Sequence, residues 1–263
     1  MNYLFTIIKD LFVFYSILYL SLSRILNLIT MSDQKNIALT IGEMVANDFR
    51  AASIFKEAGI DFCCGGNKSL TTACRETGAD EHALSVKLQE LSQTPSPTNL
   101  NFKDWSLVFL SDYIVNTHHK YVLKNLPELV FYTRKIADVH GGHHPELIEV
   151  ATLFAKINDE LLQHLKNEEE VLFPAIREAE FNATAEVKST IFSEITRMQG
   201  EHEFAGGAMD KINVITGNYQ VPEDACNTYR VALKLLEQFE DDLHIHVHLE
   251  NNILYPKALM LAN

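Results

Sequence analysis

Two stretches of this 263-residue chain repeat the same candidate metal-ligand phrase. The first reads HLKNEEEVLFP from His164 to Pro174, and the second reads HVHLENNILYP from His246 to Pro256. Each contains His, three residues, Glu, two residues, an aliphatic pair, an aromatic residue and Pro. Positions i and i+4 share one face of a helix, so the His and Glu of each copy can reach the same ion.

A single histidine precedes each copy at nearly the same distance. His119 lies 45 residues before His164, and His202 lies 44 residues before His246. Because the copies are 82 residues apart and in register, they predict a pseudo-two-fold pocket for two metal ions. The predicted ligands are His119, His164, Glu168, His202, His246 and Glu250.

The ligand types favour iron or manganese. If both glutamates bridge, each ion receives two nitrogens and two oxygens. An oxo or hydroxo bridge would then give five-coordination and leave one position open. Structural zinc prefers four ligands, often thiolates, and the Glu-x-x-His phrase of ferritin-like di-iron bundles is absent. One His-x-x-x-Glu pair alone is ordinarily a solvated helix face, but the doubled pattern favours the metal site.

Three further carboxylates could orient a ligand imidazole or relay protons. Glu160 lies one turn before His164, Asp242 lies one turn before His246, and Glu201 adjoins His202. The alternative for each is a surface acid, so no catalytic residue is assigned. His118 should point about 100° away from its neighbour. The remaining histidines are expected outside the site: His82, His140, His143, His144, His244 and His248.

An adjacent cysteine pair, Cys63–Cys64, lies in the glycine-rich turn DFCCGG. The pair could be redox-active, could bind metal, or could be two buried small apolar residues. Cys74 and Cys226 are expected to be unreactive. These spacings do not resemble a secreted disulfide framework, so a reducing compartment is expected.

The pattern predicts an all-α fold. Three- and four-residue spacing of apolar positions continues through four long segments, and short turn-rich connections between them predict an antiparallel four-helix bundle. Each predicted helix carries at least one proposed ligand. The predicted helices are 104–138, 145–180, 185–216 and 223–261.

A small helical domain with the Cys63–Cys64 pair is predicted at 38–92, before a linker at 93–101 and the bundle at 102–263. A capping box of Thr40 and Glu43 should start its first helix, with apolar spacing continuing to Phe55 and Gly59 at the end. Short helices are expected near 70–77 and 81–92.

Residues 1–30 contain a 12-residue apolar run, Leu11 to Leu22. A bilayer span needs about 20 apolar residues. We therefore expect 1–30 to be an extension outside the fold, with an interfacial anchor as the alternative. The net charge of −13 argues against nucleic acid as a partner, because phosphate binding needs clustered Lys and Arg.

These motifs together resemble the repair-of-iron-centres family, whose members repair iron–sulfur clusters with a haemerythrin-like di-iron domain. The resemblance covers 38–263. It implies a non-haem di-iron centre with the same six ligands, acidic neighbours at Glu160 and Glu201, and a redox or iron-transfer role for Cys63 and Cys64. The matching segments are DFCCGG, LPEL after His119, HLKNEEEVLFP, GEHEFAG and HLENNILYP.

The resemblance also implies a cytoplasmic stress-response role. Such a protein would restore clusters damaged by nitric oxide or oxidants, by donating iron. The alternatives are a nitric oxide reductase, or a haemerythrin-like sensor of dioxygen or nitric oxide. The expected partners are damaged iron–sulfur proteins and these small ligands; a membrane partner is not expected, and a homodimer stays open.

Overall fold

The structure, a computed structural model, describes residues 39–94 and 100–262. Contacts within Leu39–Asn263 make one compact unit. The predicted extension at 1–30 lies outside the described residues. Within the described ranges, no helix is long and apolar enough to cross a membrane. The division into a domain at 38–92, a linker and a bundle at 102–263 stays a prediction.

In the part of the chain that the structure describes, four α-helices precede the bundle. Thr40 accepts a hydrogen bond from the Glu43 backbone N–H, and the Glu43 side chain accepts one from the Thr40 backbone, so the predicted capping box is present. Gly59 has a positive φ of 66°, which suits the turn after the second helix. The helices are α1 (Ile41–Asn47), α2 (Ala51–Glu57), α3 (Leu70–Thr77) and α4 (Glu81–Gln93).

The expected continuous helix after Thr40 is interrupted between α1 and α2. Asp48 adopts an extended backbone with φ −144° and ψ 104°. Its carboxylate accepts hydrogen bonds from the Arg50 backbone N–H at 3.1 Å and from the Arg50 guanidinium at 2.6 Å. A short Asp side chain that bonds nearby backbone competes with the helical hydrogen bonds, and this ends α1.

The predicted all-α bundle is confirmed. Four long helical stretches span 107–140, 146–179, 185–215 and 227–262, and three of them contain a π-helical segment. The α-helices are α5 (Leu107–Ile114), α6 (Lys120–His140), α7 (Glu146–Asn167), α8 (Phe173–Ala179), α9 (Ala185–Ile215), α10 (Asn227–Leu249) and α11 (Tyr255–Ala262). The π segments are Val115–His119, Glu168–Leu172 and Glu250–Leu254.

The π segments coincide with the ligand positions. The Phe173 N–H bonds to the Glu168 carbonyl and the Tyr255 N–H bonds to the Glu250 carbonyl, five residues back in each case. The next residue in each copy is proline, which has no N–H to donate to the carbonyl four residues back. Widened π turns are frequent at functional sites, and here they contain both glutamates of the repeat.

The buried apolar side chains form two clusters, one on each side of the ligand positions along the helices. Leu165 belongs to the first cluster and Leu172 to the second, with Glu168 between them in the chain. Met198 belongs to the second and Ala205 to the first. The ligands therefore form a polar layer between two apolar cores, which fix the helices at that level.

We predict that Phe154→Ala destabilises the fold by about 3–5 kcal/mol, because it leaves a cavity in the first core. Phe154 is fully buried and packs edge-to-face on Phe239, with ring centroids 5.4 Å apart. Urea unfolding measures the free energy. The matched control Phe192→Ala, at a side chain 65% exposed, should change it by less than about 0.5 kcal/mol. Equal effects of the two substitutions would contradict this description of the core.

Candidate metal centre

The structure brings all six predicted ligand residues together in the interior. Each of the four long helical stretches contributes at least one of them. Each of the six residues is at most 1% exposed. Burying so many polar groups is costly unless they are paired or bind a cation. The residues are His119, His164, Glu168, His202, His246 and Glu250.

The ligand atoms form two overlapping groups, each with its atoms within 4.8 Å of one another. The His119 group consists of His119, His246 and both glutamates. The His164 group consists of His164, His202 and the same two glutamates. Each group therefore offers two imidazoles, and the groups share both carboxylates.

Glu250 presents one oxygen to each group. Its Oε1 lies 3.0 Å from His246 Nε2 and 3.8 Å from His119 Nε2. Its Oε2 lies 3.2 Å from His202 Nε2. A carboxylate in this orientation can bridge two ions.

Glu168 faces both groups through a single oxygen. Its Oε2 lies 3.3 Å from His119 Nε2 and 3.3 Å from His164 Nε2. Its Oε1 accepts a hydrogen bond from the buried Tyr255 hydroxyl. Burial and then the neighbouring Glu168 and Glu250 raise the pKa of Tyr255, so it remains a donor. Tyr255 is the aromatic residue of the second repeat copy, so that copy helps to orient the glutamate of the first.

The two copies of the repeat are interleaved. His119 precedes the first copy but is grouped with His246 of the second. His202 precedes the second copy but is grouped with His164 of the first. The repeat indicates the two-fold symmetry, whereas this crossing of partners follows from how the helices pack.

Several atoms in the layer have no hydrogen-bond partner. His119 Nε2, Glu168 Oε2 and Glu250 Oε2 are fully buried and form no hydrogen bond, although they lie 3.2–3.3 Å from other atoms of the layer. Buried polar atoms are nearly always hydrogen-bonded, so atoms without a hydrogen bond that converge from several helices fit a bound cation. Imidazole nitrogens and carboxylate oxygens suit a first-row transition metal. The chemistry of these residues fits a metal site, and their assignment as its ligands is a prediction.

The pKa values show how the carboxylates and imidazoles of the layer balance each other's charge. Burial opposes ionisation of Glu168, but His164 and His119 outweigh it and lower its pKa to about 2. Burial likewise opposes protonation of His119 and His164, but the glutamates raise both pKa values to about 10. Imidazolium groups therefore neutralise buried carboxylates, and a metal ion would take the place of those protons.

The residue that directly follows each repeat glutamate contacts the Nδ1 atom of a ligand imidazole, on the opposite edge of the ring from Nε2. Glu169 Oε1 lies 2.8 Å from His119 Nδ1, and Asn251 Oδ1 lies 3.1 Å from His202 Nδ1. Sequence reasoning missed both residues. Both residues come directly after the glutamate of their repeat copy, and this shared position could have indicated them from the sequence. Such partners fix the ring orientation and leave Nε2 for the metal.

The three carboxylate candidates have different surroundings. Glu201 Oε2 lies 2.7 Å from His164 Nδ1, and this contact, together with Arg197, lowers the pKa of Glu201. Asp242 instead lies 3.0 Å from His118 Nδ1. Glu160 is exposed at the surface. The structure therefore places only Glu201 against a ligand imidazole.

His118 is a further residue that sequence reasoning missed. It is 3% exposed and stacks on His246, with ring centroids 5.6 Å apart and an angle of 12°. His118 comes directly before His119, in the position that Glu201 occupies before His202. Both halves thus have a carboxylate against one imidazole, Glu169 on His119 and Glu201 on His164, but only His246 has a second imidazole stacked on it.

The cysteine pair is attached to the same layer. The Asp61 carboxylate accepts hydrogen bonds from the Cys63 and Cys64 backbone N–H groups at 3.0 and 2.9 Å. The Asn252 amide donates to the Cys63 carbonyl at 2.9 Å. Asn252 lies in the π segment that begins at Glu250. Sulfur atoms of the pair are 3.9 Å apart.

The chain is similar to known proteins over most of its length. The "Hemerythrin HHE cation binding domain" model matches residues 111–258, and a model described as a domain of unknown function matches residues 37–92. The iron–sulfur cluster repair protein YtfE of Yersinia pseudotuberculosis is 34% identical over 213 residues, 80% of this chain and 91% of that protein. The iron–sulfur cluster repair protein ScdA of Staphylococcus epidermidis is 31% identical over 219 residues, 83% and 96% of the two chains.

The chain belongs to the repair-of-iron-centres family. The predicted resemblance is therefore confirmed, and both ligand groups lie inside the part that matches the cation-binding domain. For this member of the repair-of-iron-centres family, the assignment of each individual ligand stays a prediction.

We predict that Glu250→Ala loses both metal ions, because both groups share this carboxylate, whereas His164→Ala loses mainly the ion of its own group. Metal analysis after gel filtration measures the stoichiometry. Circular dichroism should show the helices retained, since the apolar cores lie on both sides of the layer. Two ions retained in both variants would refute the ligand assignment.

A matched pair tests the outer carboxylates. Glu201→Gln should weaken metal affinity by about 10–100-fold, because it weakens the acceptor for His164 Nδ1. Glu160→Gln should leave affinity unchanged, because Glu160 is exposed. Competition with a coloured chelator gives both affinities. The assignment fails if the two substitutions have the same effect.

Proposed function

We propose that this protein repairs iron–sulfur clusters damaged by nitrosative or oxidative stress, by donating iron from a labile non-haem di-iron centre. The observation that carries the proposal is the pair of buried glutamates shared by two imidazole pairs. Relatives over most of the chain are named iron–sulfur cluster repair proteins, which supports the assignment.

The proposed centre would hold two non-haem iron ions with an oxo or hydroxo bridge, and it would supply redox-active iron with a position open to nitric oxide or dioxygen. His119 and His246 would bind one ion, and His164 and His202 the other. Glu168 and Glu250 would bind both. Glu169, Asn251 and Glu201 would fix the rings through Nδ1.

The charges of the buried layer support a donor role. A site that releases iron must tolerate the buried carboxylates that remain, and an uncompensated buried charge is strongly destabilising. Here the carboxylates raise the pKa values of His119 and His164 to about 10, so both rings take up protons at neutral pH. Protons therefore compete with iron for these two imidazoles, which favours release over permanent retention.

The cysteine pair is the proposed iron-transfer or redox element. Asp61, Cys63 and Cys64 bring a carboxylate and two sulfurs within 4.8 Å, and sulfur ligands suit iron in clusters. Their loop is bonded through Asn252 to the π segment of Glu250. The proposed clients are damaged iron–sulfur proteins of the cytoplasm, where thiols stay reduced.

The test mixes the iron-loaded protein with an iron–sulfur enzyme inactivated by nitric oxide. We expect enzyme activity to recover while the donor loses iron in proportion, with no recovery from Glu250→Ala and full recovery from Glu160→Gln. Enzyme assays, iron analysis and headspace gas analysis follow the reaction. The repair proposal fails if the enzyme stays inactive while nitrous oxide accumulates over many turnovers, an outcome that favours nitric oxide reduction.

A further inference from the structure

A cysteine–histidine pair lies far from the metal centre. His140 Nε2 is 3.1 Å from Cys226 Sγ. His140 is the last residue of α6, and Cys226 is the N-cap residue of α10. Twenty residues of helix separate Cys226 from His246, which corresponds to about 30 Å at 1.5 Å per residue. The pair is therefore independent of the metal centre.

The surroundings of Cys226 favour its thiolate form. The residue is exposed, so reagents can reach the sulfur. It caps a 23-residue helix, and a helix N-terminus carries partial positive charge that stabilises an anion. The hydrogen bond from His140, followed by backbone N–H groups of α10, lowers the pKa of Cys226 to about 7.

Neighbouring groups hold the histidine of the pair in place. The rings of His140 and His144 both pack against Tyr229, with centroid distances of 5.3 and 5.6 Å. His144 is bonded to Asp224 at 3.1 Å and to Glu146 at 3.0 Å. These carboxylates engage His144 directly, which leaves His140 as the imidazole that faces the sulfur.

We propose that Cys226 and His140 form a thiol-exchange site whose substrates are small, uncharged disulfides. The Cys226 thiolate attacks one sulfur of the disulfide, a new S–S bond forms, and the original S–S bond breaks. The departing sulfur leaves with the electron pair and takes the proton held by His140. The Cys226 sulfur is oxidised, the departing sulfur is reduced, and the product is a mixed disulfide on Cys226 with one free small thiol.

Charge and access select this class of substrate. Asp224 and Glu146 bond to His144, which packs on the same Tyr229 ring as His140, and the chain has a net charge of −13, so anionic disulfides are disfavoured. A metal ion fits less well, because the compact ligand groups of the described residues do not include Cys226 or His140. Two ligands are too few for a closed zinc site. Cys63 and Cys74 are each only 4% exposed, so they serve as internal controls.

The test treats the full chain with excess hydroxyethyl disulfide and measures modification of each cysteine by peptide mass spectrometry. At pH 7, His140→Gln should slow the reaction at Cys226 by up to about threefold. If the pKa of Cys226 rose fully to about 8.5, the thiolate fraction would fall from about 50% to about 3%, but the backbone N–H groups of α10 retain part of the lowering. The greater nucleophilicity of a more basic thiolate offsets part of the loss. At pH 10 Cys226 is a thiolate in both proteins. His140→Gln should then react faster than the unmodified chain, because its thiolate is more basic.

Two controls keep the result interpretable. Metal content and circular dichroism should be unchanged in His140→Gln, and Cys226→Ser should abolish the modification at that peptide. Equal rates for the two proteins at pH 7, or modification of Cys64 without Cys226, would overturn the proposal. If His140→Gln misfolds, the rate–pH curve of the unmodified chain decides: a midpoint near 7 supports the pair, and one above about 8.5 contradicts it.

Discussion

Two buried carboxylates shared between four imidazoles are the constraint on which this structure depends. Glu168 and Glu250 are both fully buried, and each approaches histidines from several helices. Neither could remain ionised in an apolar interior without cations or imidazolium groups around it. Four helical stretches must therefore meet at one level, and the two apolar cores on either side keep them there.

The six predicted ligands are arranged symmetrically, but the residues that contact their imidazole rings are not. Glu169 and Asn251 occupy the same place in the two copies and hold His119 and His202. Glu201 holds His164, whereas His118 stacks on His246 without a bond to its Nδ1. Because outer partners tune ligand basicity, the two ions would experience different surroundings.

The metal layer and the cysteine loop are linked through the side chain of one residue, Asn252. Asn252, two residues after Glu250, donates to the Cys63 carbonyl. A side chain at Gly66 would disturb this link, because a Cβ atom would lie 2.7 Å from the Phe62 carbonyl oxygen and 2.2 Å from Asn252 Oδ1. A change at the metal layer that moves this π segment would therefore reach the cysteine pair through a direct hydrogen bond.

Much of the site is predictable because it follows from helix periodicity. The His-x-x-x-Glu spacing and the repeated upstream histidines select the same six residues that the structure brings together, and short connections predict the bundle. The crossing of partners, the π segments and the stacking of His118 depend on contacts between helices, which no single-helix periodicity contains. The break at Asp48 was missed because a side chain bonded to Arg50 competes with an otherwise regular helical pattern.

The most direct test of the shared-carboxylate centre is X-ray absorption spectroscopy of the iron-loaded protein. If Glu168 and Glu250 bridge, two irons bind per chain and each should have the other within about 4 Å, with only nitrogen and oxygen neighbours. A single iron per chain with no second metal scatterer, or sulfur in its first shell, would contradict the account.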